Sequence, residues 1–241
     1  MRNRRIGTSI SGIVQAMNKF GNREFLNWCD KGYSYLRHLD DQYSNWLCIP
    51  KSLKISTTKP SGSVSLLPGV TPGIHRAHSE YYIRNIRMDK NSNLVPICKE
   101  AGYPIESDKY SKTSVVISFP VHEKYYVRGK EDVSMWEQLE LAAQMQYYWS
   151  DNSVSITVTF KPDEASQIAE ALSLYETRLK SVSFLPVEDH GYEQAPYIKI
   201  DEKEYQKLVA KIKPLKIKEN ENEVQEKFCD GEACEIIAVK S

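Results

Sequence analysis

Two cysteines near the C-terminal end of the sequence, Cys229 and Cys234, have four residues between them. A pair at this spacing can close a small disulfide, and Gly231 would help the turn between the two thiols. The preceding segment, 216–227, is rich in charge and almost without apolar residues, which is typical of a flexible linker. Because a coil of about a dozen residues reaches roughly 20 Å, the pair could be oxidised at one site and reduced at another by thiol exchange.

Two structural alternatives for this cysteine pair stay open. One pair does not supply the four ligands of a closed zinc site, and none of the five histidines lies nearby in sequence. The two cysteines could also be unreactive groups on the surface. The spacing alone does not decide between these roles and a redox role.

A second candidate site is the segment 59–73, KPSGSVSLLPGVTPG, which has Pro at three positions, Gly at three and hydroxyl residues at four. Pro60 fixes its own backbone, and Gly62 permits a positive φ or the close approach of another group. If residues 63–67 turn helical, their free N–H groups favour an anion, most often a phosphate. A simple turn followed by a helix N-cap explains the same residues. The candidate phosphate-binding residues are Pro60, Ser61, Gly62, Ser63, Val64 and Ser65.

Other residues with reactive side chains have simpler explanations. An odd number of cysteines, five, without a secretory signal argues against a disulfide framework, and a buried inert thiol is expected at Cys29, Cys48 and Cys98. The histidines at 75 and 78 lack a third ligand or a carboxylate partner, so packing or surface roles are expected and no metal site is predicted. The arginines at 84 and 87 could line a phosphate pocket, although arginines on a strand are more often solvated.

Length and composition limit the class of protein. The 241 residues are 41% hydrophobic and 27% charged, with a formal net charge of zero, which is ordinary for a globular protein with a sizeable core. Nothing in this balance favours binding to nucleic acid or to an acidic membrane. No apolar run reaches the length of a membrane span, and the N-terminus lacks the core of a signal peptide. We therefore expect a cytoplasmic protein.

The periodicity of apolar residues predicts an alternation of helices and strands. Helices are predicted over 23–47, 95–101, 135–149, 161–180 and 201–213. The first, weakened near Gly32, carries apolar residues at Phe25, Cys29, Leu36, Tyr43 and Leu47, with Leu39 and Trp46 beside them. Strands are predicted over 53–58, 81–88, 114–121, 153–160 and 181–186. The order strand, helix, strand, helix, strand over 114–186 favours an α/β fold with parallel crossovers.

The strand 153–160 alternates hydroxyl residues with Val, Ile and Phe, so that one face is apolar and the other carries hydroxyls. In a barrel the hydroxyl face could line a polar lumen; it could equally meet water. The pattern does not show whether the sheet closes.

Several stretches of the chain, in this order, resemble the late barrel of monomeric, adenosylcobalamin-dependent ribonucleoside-triphosphate reductases. They are NRRIG at 3–7, KPSGSVSLL at 59–67, GVTPGIH at 69–75, YYIR at 81–84, DNSVSITV at 151–158, and the pair Cys229 and Cys234. The resemblance covers the whole chain but only about the last third of the family's usual length. It implies the C-terminal portion of a ten-stranded α/β barrel over 1–214 and a flexible redox tail over 215–241.

The resemblance also implies functions. The loop 60–65 would bind the phosphates of a ribonucleoside triphosphate, and Cys229 and Cys234 would carry reducing equivalents from a thioredoxin-type reductant to the active site. The complete enzyme would use adenosylcobalamin to start thiyl radical chemistry that reduces the ribose. The family's radical cysteine and its Asn-x-Cys-x-Glu setting have no counterpart here, so the chain is expected to need an upstream part.

The beginning of the chain supports the same expectation. The family's counterpart of residues 3–7 lies deep inside the polypeptide, so we expect Met1 to begin a split gene product or a truncated frame. The alternative is a non-catalytic phosphate-binding module or a defective remnant.

Overall fold

The computed structural model describes residues 4–187 and 193–216. Cys229, Cys234 and all but the first residue of the predicted linker lie outside this part. The helices are α1 (Ile13–Phe20), α2 (Asn22–Trp46), α3 (Leu94–Glu100), α4 (Met135–Tyr148), α5 (Ile168–Tyr175) and α6 (Glu202–Val209). The strands are β1 (Arg5–Thr8), β2 (Lys54–Ser56), β3 (Tyr81–Asp89), β4 (Ile105–Ser107), β5 (Ser114–His122), β6 (Thr157–Phe160), β7 (Ser183–Pro186) and β8 (Tyr197–Lys199).

The parallel strands form a continuous array of two pairs. β1 pairs with β2, β6 pairs with β7, and a parallel bridge between Thr58 and Val154 joins the two pairs. The Ser155 amide donates to the Thr58 carbonyl at 2.8 Å, which extends this junction. The order β1, β2, β6, β7 with helical crossovers confirms the α/β fold class.

The main core lies between this array and the helices α1, α2, α4 and α5. Val154, Ile156 and Val158 are buried, whereas Ser155 and Thr157 are exposed, as the alternating pattern predicts for a strand with one apolar face. The side chains of α4 that are buried in this core are Met135, Leu139, Ala142, Ala143 and Met145. Its start is fixed by Ser134, whose hydroxyl accepts a hydrogen bond from the Glu137 amide at 3.2 Å.

A second, antiparallel sheet corrects one prediction. β5 does not run parallel to β6; it pairs with β3, antiparallel, from Tyr81 opposite His122 to Asp89 opposite Ser114. β4 and β8, which the sequence did not predict, flank this pair in the order β4-β5-β3-β8. The order of elements in the sequence did not predict which strand pairs with the predicted strand 81–88. That strand, β3, pairs with β5, so β5 belongs to the antiparallel sheet and not to the parallel array.

The helix boundaries differ from the predictions at several places. α2 runs without a break through Gly32, where the backbone packs against the Trp149 ring. α1 was not predicted. The predicted helix 161–180 is a 3-10 segment, Pro162–Gln167, followed by the shorter α5. α6 ends at Val209, before Pro214.

No helix among the described residues is long and apolar enough to cross a membrane.

Candidate functional site

The segment 59–73 leaves the carboxyl end of β2, directly after the Thr58 bridge. In α/β sheets, ligands bind outside the carboxyl ends of the parallel strands, where the connecting loops meet. The predicted phosphate loop therefore has the position that this rule requires.

Contacts from the β1–α1 connection hold the two ends of this loop. The Lys59 amide donates to the Ser9 hydroxyl at 3.0 Å. The Gly12 amide donates to the Thr71 carbonyl at 2.9 Å. Gly73 has φ +57°, and a Cβ on it would lie 3.1 Å from the Lys59 carbonyl oxygen, so glycine is required where the loop returns beneath its own start.

Within the loop, two of the serines stabilise a tight turn. Val64–Leu66 form a 3-10 turn, and the Ser61 hydroxyl accepts a hydrogen bond from the Val64 amide at 3.1 Å. Ser65 is 1% exposed and its hydroxyl donates to the Ser61 carbonyl. Ser65 therefore shapes the loop and does not face solvent, whereas Ser63 is exposed.

The open side of the loop consists of Gly62 and Ser63. Neither amide donates a hydrogen bond to any residue that the structure describes. A Cβ on Gly62 would have no atom within 4 Å, and Gly62 is not among the residues with positive φ. Gly62 is thus not needed for a left-handed turn. It leaves space in which an anion could approach two free backbone donors.

β3 brings an arginine to this loop. A guanidinium nitrogen of Arg84 donates to the Gly62 carbonyl at 3.3 Å, and the guanidinium lies 5.8 Å from the centre of the Tyr197 ring. Arg87 points elsewhere and pairs with Asp108 at 3.4 Å. Sequence periodicity could not separate these two arginines, because both belong to one strand and only the pairing with β8 places Tyr197 beside Arg84.

Comparison with known proteins shows what this chain is similar to. It is 45% identical, over its whole length, to a probable adenosylcobalamin-dependent ribonucleoside-triphosphate reductase of Dictyostelium discoideum. It is 41% identical to the adenosylcobalamin-dependent ribonucleoside-triphosphate reductase of Euglena gracilis, over 97% of the chain. A crystal structure of a B12-dependent (class II) ribonucleotide reductase matches 88% of the chain with a TM-score of 0.79 and 32% identity.

Over its whole length the chain is similar to a C-terminal part of class II ribonucleotide reductases. It spans only about a third of its relatives, 33% of the Dictyostelium protein and 34% of the protein of known structure. No family model matches the chain. The structural match confirms the mixed α/β fold predicted for this part of a class II reductase. Closure of a ten-stranded barrel would need strands beyond this chain and stays a prediction.

One cavity has a volume of about 540 Å³ and lies on the helical side of the parallel array, lined by residues of α2, α4 and the turn before β7. This volume lies within the usual range of small-molecule sites. Nowhere in the described ranges do three or more His, Cys, Asp or Glu side chains gather as metal ligands would.

The surroundings of the other candidate residues, three cysteines and two histidines, explain them without a catalytic role. Cys29 is buried, and burial raises the pKa of its thiol to about 11; burial also raises the pKa of Cys98. The expectation of a buried thiol is wrong for Cys48, which is exposed in the turn after α2. Burial lowers the pKa of both His75 and His78, which favours neutral imidazoles.

Proposed function

We propose that this chain is the C-terminal part of an adenosylcobalamin-dependent ribonucleotide reductase that reduces ribonucleoside triphosphates to deoxyribonucleotides. The observation that carries the proposal is 45% identity over the whole chain to a relative named for this activity. The free amides at Gly62 and Ser63 support it from the structure. A non-catalytic phosphate-binding module would account for the loop, but not for similarity that extends over the parallel strands and the antiparallel sheet alike.

In this proposal, the loop of Pro60, Ser61, Gly62, Ser63, Val64 and Ser65 binds the substrate phosphates. Gly62 and Ser63 supply backbone donors, and Ser61 and Ser65 hold the turn that presents them. Arg84, already at the Gly62 carbonyl, supplies the positive charge that a phosphate needs. The substrate would thus be held at the carboxyl end of β2, with its ribose toward the strand ends.

Reduction of the ribose 2′-hydroxyl consumes two electrons and releases water, and it leaves two active-site thiols joined as a disulfide. Cys229 and Cys234, outside the described residues, would reduce that disulfide by exchange and become a disulfide themselves. A thioredoxin-type dithiol would then reduce the pair again. These are proposals for the complete enzyme, which would act in the cytoplasm.

Adenosylcobalamin would supply the radical that starts the reaction. The family's radical cysteine has no counterpart in this sequence, so we place it in an upstream part of the reductase. We assign to this chain only the tasks that its own residues can perform: binding the phosphates, positioning the substrate at the strand ends and relaying reducing equivalents.

A chimera tests this assignment. The matching C-terminal third of the Dictyostelium relative would be replaced by this chain, and product would be measured with adenosylcobalamin, a ribonucleoside triphosphate and a dithiol. The chimera should turn over, and this chain alone should not. A folded but inactive chimera, or turnover by the chain alone, would overturn the proposal.

The same chimera tests the cysteine pair. Changing both Cys229 and Cys234 to Ser should leave about one turnover of product but abolish sustained turnover with thioredoxin, and small dithiols should partly restore it. A zinc role predicts instead a loss of bound metal and lower stability. Normal turnover of the double variant with thioredoxin would exclude the shuttle.

A further inference from the structure

Two lysine ammonium groups meet at the end of the parallel strands opposite to the phosphate loop. The Lys54 ammonium donates to the Asp151 carbonyl oxygen at 2.9 Å, and the Lys180 ammonium donates to the same oxygen. Lys54 begins β2, and Lys180 precedes β7. Since an extended strand rises about 3.3 Å per residue, roughly 17 Å separate Lys54 from Lys59, where the loop starts. The lysine pair is therefore a separate site.

The nearby carboxylate does not neutralise this pair. One oxygen of the Asp151 carboxylate accepts the Tyr33 hydroxyl at 2.8 Å, and the other lies 3.5 Å from the Arg37 guanidinium and also accepts a backbone amide. Arg37 is the cation in direct contact with the Asp151 carboxylate, so the single negative charge of Asp151 is shared among Arg37, Lys54 and Lys180. Among the described residues, neither Lys54 nor Lys180 has a carboxylate within ion-pair distance. Two positive charges are left without a partner.

Like charges so close together repel each other. Burial and the neighbouring Lys54 ammonium lower the pKa of Lys180 although the charge of Asp151 acts to raise it, so the effects of burial and of Lys54 are the larger. An oxyanion between the two ammonium groups would remove the repulsion and accept a charge-assisted hydrogen bond from each lysine. Lysine binds phosphate in this way, as a mobile point charge.

Lys180 also forms part of the wall of the 540 Å³ cavity described above. Tyr147 and Tyr148 line the same cavity, with ring centres 4.9 Å apart. The other cation in the wall, Arg178, is already paired with Glu140 at 2.8 Å, so Lys180 is the cationic group there that can still take an anion. The volume lies within the range of small-molecule sites.

We propose that Lys54 and Lys180 bind the phosphate group of a small phosphate-bearing molecule, whose remaining part lies in the cavity beside Lys180. This site is independent of the proposed substrate loop, because it lies at the amino ends of the strands. It would take a ligand other than the substrate.

Lysine-selective NMR of the full chain tests the site. The chain would carry ¹³C at the lysine Cε atoms, and inorganic pyrophosphate would be titrated in, with signals assigned from Lys54→Gln and Lys180→Gln spectra. The Lys54 and Lys180 signals should shift together with one dissociation constant. Lys51, which is paired with Asp41 at 2.9 Å, is the control and should not shift with them. Each Gln variant should weaken binding by about tenfold or more, the loss of one charge-assisted hydrogen bond.

Further variants separate this site from the loop and from misfolding. Lys180→Arg keeps the charge and should retain most of the affinity. Gly62→Val should leave the Lys54 and Lys180 shifts unchanged. AMP should bind more tightly than inorganic phosphate if the cavity holds the rest of the ligand. Equal affinities of AMP and inorganic phosphate would show that the cavity does not contribute to binding. Equal, weak shifts of all lysines, or unchanged affinity in a folded Lys180→Gln variant, would overturn the site as a whole.

Discussion

At the scale of single residues, Gly62 gives the sharpest test of the phosphate loop. A Cβ there meets no atom within 4 Å, so a larger side chain fits the fold but occupies the space in front of the free amides. In the active chimera, Gly62→Val should raise the KM for the ribonucleoside triphosphate by about tenfold or more, as expected for the loss of one or two charge-assisted hydrogen bonds. The measurement is steady-state kinetics together with a thermal unfolding curve.

Two controls make this result specific. Gly62→Ala should have a smaller effect, because its side chain is smaller. Leu67→Ala changes a neighbouring side chain that is 86% exposed and lies outside residues 60–65, and it should leave KM unchanged. An unchanged KM in a normally folded Gly62→Val variant would show that the segment is a simple turn and does not bind the substrate phosphates.

The loop residues could be predicted from the sequence because Pro, Gly and Ser restrict the backbone in characteristic ways. The different role of each of these residues could not be predicted from the sequence. Ser63 and Ser65 look equivalent in the sequence, but the turn buries Ser65 and exposes Ser63. Arg84 was one of two equivalent candidates until the strand pairing placed it at the loop. Such distinctions depend on contacts between segments far apart in the chain.

At the scale of secondary-structure elements, Asp40 joins α2 to the start of β2. Its carboxylate accepts hydrogen bonds from the Ser52 amide at 2.7 Å and the Ser52 hydroxyl at 2.6 Å, and it lies 3.6 Å from Arg4. Asp40→Asn should lower the free energy of unfolding by about 2 kcal/mol, because buried donors lose a charged acceptor. Asp41→Asn is the matched control; its half-exposed pair with Lys51 should contribute less than about 1 kcal/mol.

The effect of Asp40 should depend on pH. Burial acts to raise the pKa of this carboxyl, but the hydrogen bonds from Ser52 and the charges of Arg4 and Arg37 hold the pKa below its usual value. A lowered pKa stabilises the fold above the unfolded value of about 3.9, and this contribution is lost as the pH falls through the folded pKa. Urea unfolding should therefore show the gap between wild type and Asp40→Asn narrowing below about pH 4. A gap that is constant with pH would show that the charge is unimportant.

Most elements could be predicted from periodicity, since the apolar spacing of α4 and the alternation before and within β6 are local properties. The sheet to which each strand belongs is not local. Apolar and polar residues alternate in β3, and β5 is a run of mainly apolar residues, and both patterns also occur in the parallel strands. Yet β3 and β5 form a separate antiparallel sheet with a core of its own. The short strands β4 and β8 have no pattern of their own and exist because they pair at its edges.

At the scale of the whole molecule, α2 carries apolar side chains that the core does not cover. Phe25 and Cys29 are buried as predicted, but Tyr43 and Leu47, predicted to face the core, are exposed. The helix therefore has apolar residues outside the core as well as within it.

Three of the exposed aromatic residues lie on one line of α2. Trp28, Tyr35 and Trp46 are 44%, 62% and 67% exposed, and their separations of seven and eleven residues are close to whole helical turns. We infer that this row of exposed aromatic side chains is an interaction surface. The chain spans about a third of its relatives, so the occupant that we infer is the remaining, upstream part of the reductase.

This surface can be tested by reassembly of the enzyme from two pieces. The chain would be mixed with the separately produced upstream part of the Dictyostelium relative, and association would be followed by sedimentation and by recovery of activity. Trp46→Ser and Trp28→Ser should each weaken association by about tenfold, because a buried aromatic residue in an interface commonly contributes more than 1 kcal/mol. Tyr125→Ser removes a comparably exposed aromatic residue, 60% exposed, away from α2 and should have no effect. If both Trp variants reassemble like the wild type, the row on α2 faces solvent in the complete enzyme, and the upstream part must bind elsewhere.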